Sequence, residues 1–163
     1  MILTGCEIRR QIQQKKIVIS PFVDAQVNPN SYNYRLGPRL LDFSDPDNPV
    51  ERSIDSRGTI LSPKRLYLGH TLEMIGSEHY VTFLNGRSSI GRLGMFLNIS
   101  ADLGQLGPAH QWTLEIVVVQ RLRVFPGVVI GQATFWEPRG EIALYNGAYA
   151  RRSDPTPNLV FQT

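Results

Sequence analysis

The 163 residues predict a mainly β chain folded as a sandwich or barrel behind a short N-terminal helix. Three observations carry that expectation. Short runs rich in Val, Ile, Tyr and Phe recur along the chain, and glycine and proline break them at intervals of roughly eight to twelve residues. Helical spacing shows ahead of them, at the N-terminus.

That first element reads from "TGCE", a capping box in which Thr4 accepts from the backbone at Glu7 while the Glu7 side chain reaches back. Ile8 and Ile12 share one face, Lys15 and Lys16 suit the negative end of the helix dipole, and "IVISP" stops the helix at Pro21. "SYNYRLG", "RLYLGHTLEMI", "HYVTFLNG", "MFLNISA", "WTLEIVVVQ" and "VVIGQATFWEP" then read as strands. Between the first two, "DFSDPDNPVERSIDSRG" is polar and rich in turn formers, as a long surface loop or arm would be. The chain closes on "YNGAYARRSDPTPNLVFQT", where Tyr145, Tyr149, Arg151 and Arg152 offer stacking and phosphate-binding groups. Length allows one sizeable core and little beyond it, so a single domain over 1–163 is expected, with 140–163 as a tail or lid.

Composition narrows the function. Cys6 is the single cysteine and His70, His79 and His110 the only histidines, so no zinc pattern arises and no metal ligand set is expected. Apolar runs are short and no secretory h-region opens the chain, which points to a soluble, cytoplasmic protein without a membrane partner. A net charge of +3 is too mild for a nucleic-acid stripe. Yet fourteen of the basic side chains are arginine and three are lysine, and the arginine fork suits phosphate.

Two stretches could hold chemistry. In "GRSSIGRLG", Gly86 allows close backbone approach while Arg87, Ser88 and Ser89 supply a guanidinium, two hydroxyls and backbone donors, which together could cradle a phosphate; a solvated turn is the plainer reading. Neither the dinucleotide glycine pattern nor a Walker lysine is present. In "QWTLEIVVVQ", alternation sends Trp112, Leu114, Ile116 and Val118 one way and Thr113, Glu115, Val117 and Val119 the other. Glu115 is then the one ionisable group among buried neighbours. It needs a partner, for which Arg92 is the candidate, or a task such as proton transfer.

Together these strings resemble the dCTP deaminase family within the dUTPase-like superfamily. "GRSSIGRLGMFLNISA" matches its central segment, the "TLEI" glutamate follows at the family spacing, and "NPNSYNYRLG" and "FPGVVIGQATFWEP" match its flanking blocks. The resemblance implies a homotrimer of distorted jelly-roll subunits with active sites shared between chains, acting without zinc on a cytosine nucleotide, dCTP first, to give dUTP and ammonia. It makes Glu115 the general base, with Ser88 and Arg92 holding the water and the charge at C4. Arg87, Ser88 and Ser89 would hold phosphates with Mg2+ bound through them. Backbone at Ala101 and Thr113 would read the base, and Tyr145 with Arg152 in the tail would close over the triphosphate.

The chain departs from the family pattern at several positions. Gln105 stands where the family's aspartate addresses the sugar 3′-hydroxyl, Asp102 and Leu103 replace a His-Arg pair, Ala148 replaces a lysine, Arg152 a glutamine, and Asn33 an aspartate. Gln105 cannot serve as a carboxylate base, which counts against phosphate cleavage. A pyrimidine nucleotide hydrolase releasing pyrophosphate or base, and a non-catalytic nucleotide-binding regulator, remain the alternatives.

Overall fold

The computed structural model describes residues 1–99, 101–150 and 152–159; Arg151, one of the tail arginines named above, lies outside them. Helix α1 spans Gly5–Gln13 and starts at Thr4, whose Oγ1 accepts a 3.4 Å hydrogen bond from the Glu7 N–H. Only half of the capping box forms. The Glu7 carboxylate turns to stronger donors on its own helix, Arg10 Nη2 at 2.7 Å and Gln11 Nε2 at 2.5 Å. Ile8 is fully buried and Ile12 packs on the same core, while Lys15, at a left-handed φ of 60°, lies beyond the helix end.

Among the described residues eleven strands follow: β1 Val18–Ser20, β2 Tyr32–Arg35, β3 Arg39–Asp42, β4 Val50–Ser53, β5 Thr59–Leu61, β6 Tyr67–Ser77, β7 Val81–Gly86, β8 Met95–Leu97, β9 Gly107–Val118, β10 Leu122–Val124 and β11 Val129–Trp136. A single helical turn, α2, covers Ser88–Gly91. All six expected strands are present. The expected surface arm is not wholly loop: β4 lies within it and pairs antiparallel with β3, Leu41 opposite Glu51. Its four residues are all exposed, so an edge strand was hidden in polar sequence.

All strand pairings are antiparallel. One sheet runs β4-β3-β6-β9-β8 with β1 also on β6; a second runs β2-β11-β7; β5 and β10 form a ribbon. Tyr34, Leu84 and Phe135 from the second sheet meet Leu40, Ile75, Leu114 and Ile116 from the first in one hydrophobic cluster. This is the expected distorted jelly roll with its short N-terminal helix.

A charged clamp joins the sheets. Glu73 on β6 has no exposed surface and accepts from the Arg35 N–H at 2.9 Å and Arg35 Nε at 2.6 Å on β2. Nearby Asn33 is structural too, its Oδ1 accepting from Asn28 Nδ2 at 2.9 Å and its carbonyl from Gln26 Nε2 at 2.6 Å. His70, on β6, is 2% exposed and donates through Nδ1 to the Thr71 carbonyl at 2.9 Å. Its ring lies where a Cβ on Gly37 would come within 2.2 Å, so only glycine fits there.

No helix among the described residues is long and apolar enough to cross a membrane.

Candidate active site

β9 runs the length of the site and is shaped by its neighbour. Between His70 opposite Thr113 and Met74 opposite Gln111, β6 carries two extra residues, and the ladder breaks. Thr71 Oγ1 fills the break, accepting from the Trp112 N–H at 2.9 Å and donating to the Glu73 carbonyl at 2.7 Å. Trp112 Nε1 donates to the Ile75 carbonyl at 2.8 Å, and the His110 and Trp112 rings lie 4.3 Å apart. Thr113 and Glu115, two residues apart in the strand, therefore share one face.

That face forms one wall of a cavity of about 720 Å³. Leu68 of β6, Asn98, Ala101, Leu103 and Gln105 ahead of β9, and Tyr145, Tyr149, Arg152 and Thr156 of the tail close the other sides. The alternation expected of β9 holds for Leu114, Ile116 and Val118, which are buried, but not for Trp112, which is half-buried and also lines the cavity. The surroundings expected of Glu115 do not hold. Thr113 and Glu115 are half-buried because they border the cavity and not packed side chains, and further along the same face Val117 is half-buried and Val119 64% exposed. Among the described lining residues Glu115 is the only carboxylate and Arg152 the only arginine or lysine. Burial pushes the cavity's His110 below the usual imidazole range, so it adds no charge at neutral pH.

The residues singled out from sequence fall into two groups. Ala101, Gln105, Thr113, Glu115, Tyr145 and Arg152 line the cavity. Arg87, Ser88, Ser89 and Arg92 do not: they sit on the exposed turn around α2, where the Arg87 N–H donates to the Ile130 carbonyl at 2.9 Å. The expected Arg92–Glu115 pair is absent from the chain, and among the described residues Arg92 makes no ion pair. Exposed apolar side chains flank this turn: Leu93 at 47%, Phe96 at 42% and Ile99 at 73%.

The tail is docked. The Tyr145 N–H donates to the Leu106 carbonyl at 2.8 Å, and Arg39 on β3 pairs with Asp154. Thr113 Oγ1 donates to the Asp154 carbonyl at 3.3 Å and accepts from the Thr156 N–H at 3.1 Å. These anchors were invisible in the sequence, which offers no spacing that links Arg39 or Thr113 to the tail. Asn98 is one of the lining residues that sequence reasoning missed. Its left-handed φ of 47° and its bonds to Glu115 arise only in the folded sheet.

Known proteins place the chain. A family model described as dCTP deaminase-like matches residues 2–138. A relative from Hathewaya histolytica, named dCTP deaminase, dUMP-forming, is 41% identical over 170 residues, covering 99% of this chain and 98% of its own. One from Leptospira biflexa with the same name is 42% identical, covering 99% and 97%. The crystal structure of the 2′-deoxycytidine 5′-triphosphate deaminase from Agrobacterium tumefaciens superposes with a TM-score of 0.68 at 22% identity, over 82% of this chain and 47% of that one, so this chain spans about half its length. Sequence match from end to end and agreement of fold lead to one assignment: the chain belongs to the dCTP deaminase-like family.

Proposed function

We propose that the protein hydrolyses dCTP, releasing ammonia from the base and then pyrophosphate, and delivers dUMP. Family membership makes it a dCTP deaminase-like hydrolase acting on a cytosine nucleotide. Glu115, the lone carboxylate among the described residues of the cavity wall, carries the reading. It takes a proton from a water attacking C4 and passes it to the departing amine, so that one carboxylate serves both halves of the substitution.

Charge building at C4 needs a cation and a hydroxyl. Arg92 and Ser88 supply them from a neighbouring copy of the chain, since their turn is exposed and lies outside the cavity. The exposed Leu93, Phe96 and Ile99 beside that turn suit a subunit interface, in keeping with a homotrimer. Arg87, Ser88 and Ser89 then hold phosphates, Ala101 and Thr113 address the base edge, Gln105 the sugar hydroxyl, and Tyr145 and Arg152 close the tail over the triphosphate. Among the described residues no three His, Cys, Asp or Glu side chains converge as cation ligands. The donor set therefore fits Mg2+ carried on the phosphates, where it would offset their charge. A cytoplasmic nucleotide pool is the natural source of substrate.

The product is where sequence reasoning and relatives part. Gln105 lacks a base's carboxylate and favours a stop at dUTP; the full-length relatives are named dUMP-forming, and that favours dUMP. Ammonia and pyrophosphate measured separately on dCTP decide it: equal release supports dUMP, and ammonia alone supports dUTP. In the same assay Glu115→Gln abolishes ammonia release with nucleotide binding retained, and undiminished deamination by that variant overturns the mechanism.

A further inference from the structure

Asn98 adopts a φ of 47°, a region that costs L-residues energy and that Asn tolerates better than most, and it is only 6% exposed. β8 stops one residue earlier, where Leu97 faces Ile116. Without Asn98, β9 would leave the Glu115 N–H and carbonyl unpaired along that edge. The turn at Asn98 satisfies both: its N–H donates to the Glu115 carbonyl at 3.0 Å, and its Oδ1 accepts from the Glu115 N–H at 2.9 Å. On the other edge Glu115 lies opposite Leu68 of β6. The Asn98 carbonyl also accepts from the Ala101 N–H at 3.4 Å, so the same residue places Ala101 at the cavity.

We infer that Asn98 is a positioning residue for the reaction, its left-handed backbone and carboxamide together fixing Glu115 at the cavity wall. The inference rests on the assignment of Glu115 as proton carrier. Residue chemistry explains why asparagine stands here. Glycine would accept the backbone angle but lacks the acceptor, whereas aspartate keeps both and sets a second negative charge beside the working carboxylate.

The test compares Asn98→Gly, Asn98→Asp and Glu115→Gln as full chains, with ammonia release from dCTP, KM and thermal melting all measured. Asn98→Gly is expected to lose about ten- to a hundredfold in kcat with KM within about twofold, since misplacement of a reacting group by about 1 Å is that costly. Asn98→Asp, which restores the acceptor, is expected to regain at least about tenfold over Asn98→Gly. Wild-type kcat in Asn98→Gly, or equal losses in both variants, overturns the inference. Should Asn98→Gly not fold, Asn98→Asp decides: kcat within about tenfold of wild type with KM unchanged supports positioning, and a loss as deep as that of Glu115→Gln refutes it. Glu115→Gln separates the two levels. If it is inactive while Asn98→Gly is fully active, only this inference fails; if Glu115→Gln itself is active, the mechanism falls and the inference with it.

Discussion

An active site assembled from two chains can be rebuilt from two broken ones. Arg92→Ala removes the cation of the exposed turn, and Glu115→Gln removes the carboxylate of the cavity; each protein alone is expected to be inactive, the arginine loss costing about a hundred- to a thousandfold as for other donors aimed at developing charge. Co-expressed in equal amounts and assembled at random into the proposed trimers, each site would draw Glu115 from one chain and Arg92 from the next. Each intact residue is supplied by half of the chains, so both meet in about a quarter of the sites. Ammonia release should therefore return to about a quarter of wild type, and should fall symmetrically as either partner is put in excess. The two chains would carry different tags and ammonia would be followed on dCTP in the unfractionated pool; mixed trimers isolated through both tags, with one site in three intact, should reach about a third. Mixed assemblies no more active than their parents would refute the shared site, and with it the placement of Arg92 opposite a neighbour's Glu115.

Two further outcomes follow from buried charge. Glu73→Gln leaves the Arg35 guanidinium, whose side chain is 23% exposed, without its counter-ion between the sheets; the cost is about 3–5 kcal/mol. At about 2–4 °C per kcal/mol for a chain of this size, Tm should fall by about 6–20 °C, and a Tm within about 2 °C of wild type would discount the clamp. Burial lowers the proton affinity of His70, so the unfolded chain takes up a proton near pH 6.5 that the folded chain refuses. Its contribution to stability is then complete above about pH 6.5 and drains away as pH falls below that value. Tm measured across that window should decline, less steeply in His70→Gln; a profile that rises toward acid would contradict it.

Much of the architecture was legible because burial writes itself into alternation. β9 carries Leu114, Ile116 and Val118 at every second position, and β6 and β11 hold enough aliphatic and aromatic residues between glycine and proline breaks to announce strands. β4 and β10 did not, since an exposed edge strand and a three-residue ribbon have little apolar face to show. At the site, "GRSS" and Glu115 stood out because arginines between glycines and a charge inside an apolar strand are both unusual in kind. What bordered them was not legible. Whether the second face of β9 packs or opens depends on the break in β6 and on a tail about forty residues downstream, and neither leaves a periodic trace. The half-buried setting of Glu115 and the absence of an Arg92 partner are tertiary outcomes, as is the left-handed turn at Asn98.

A hydroxyl owns one hydrogen, and Thr113 has already committed it to the backbone of Asp154. A guest that claims that hydrogen ends only this bond, for the strap keeps the Thr156 N–H on the same oxygen, the Thr156 hydroxyl on the Asp154 carbonyl and the Arg39 pair. The pocket wall can therefore lend a donor to its occupant without surrendering the chain segment that covers it.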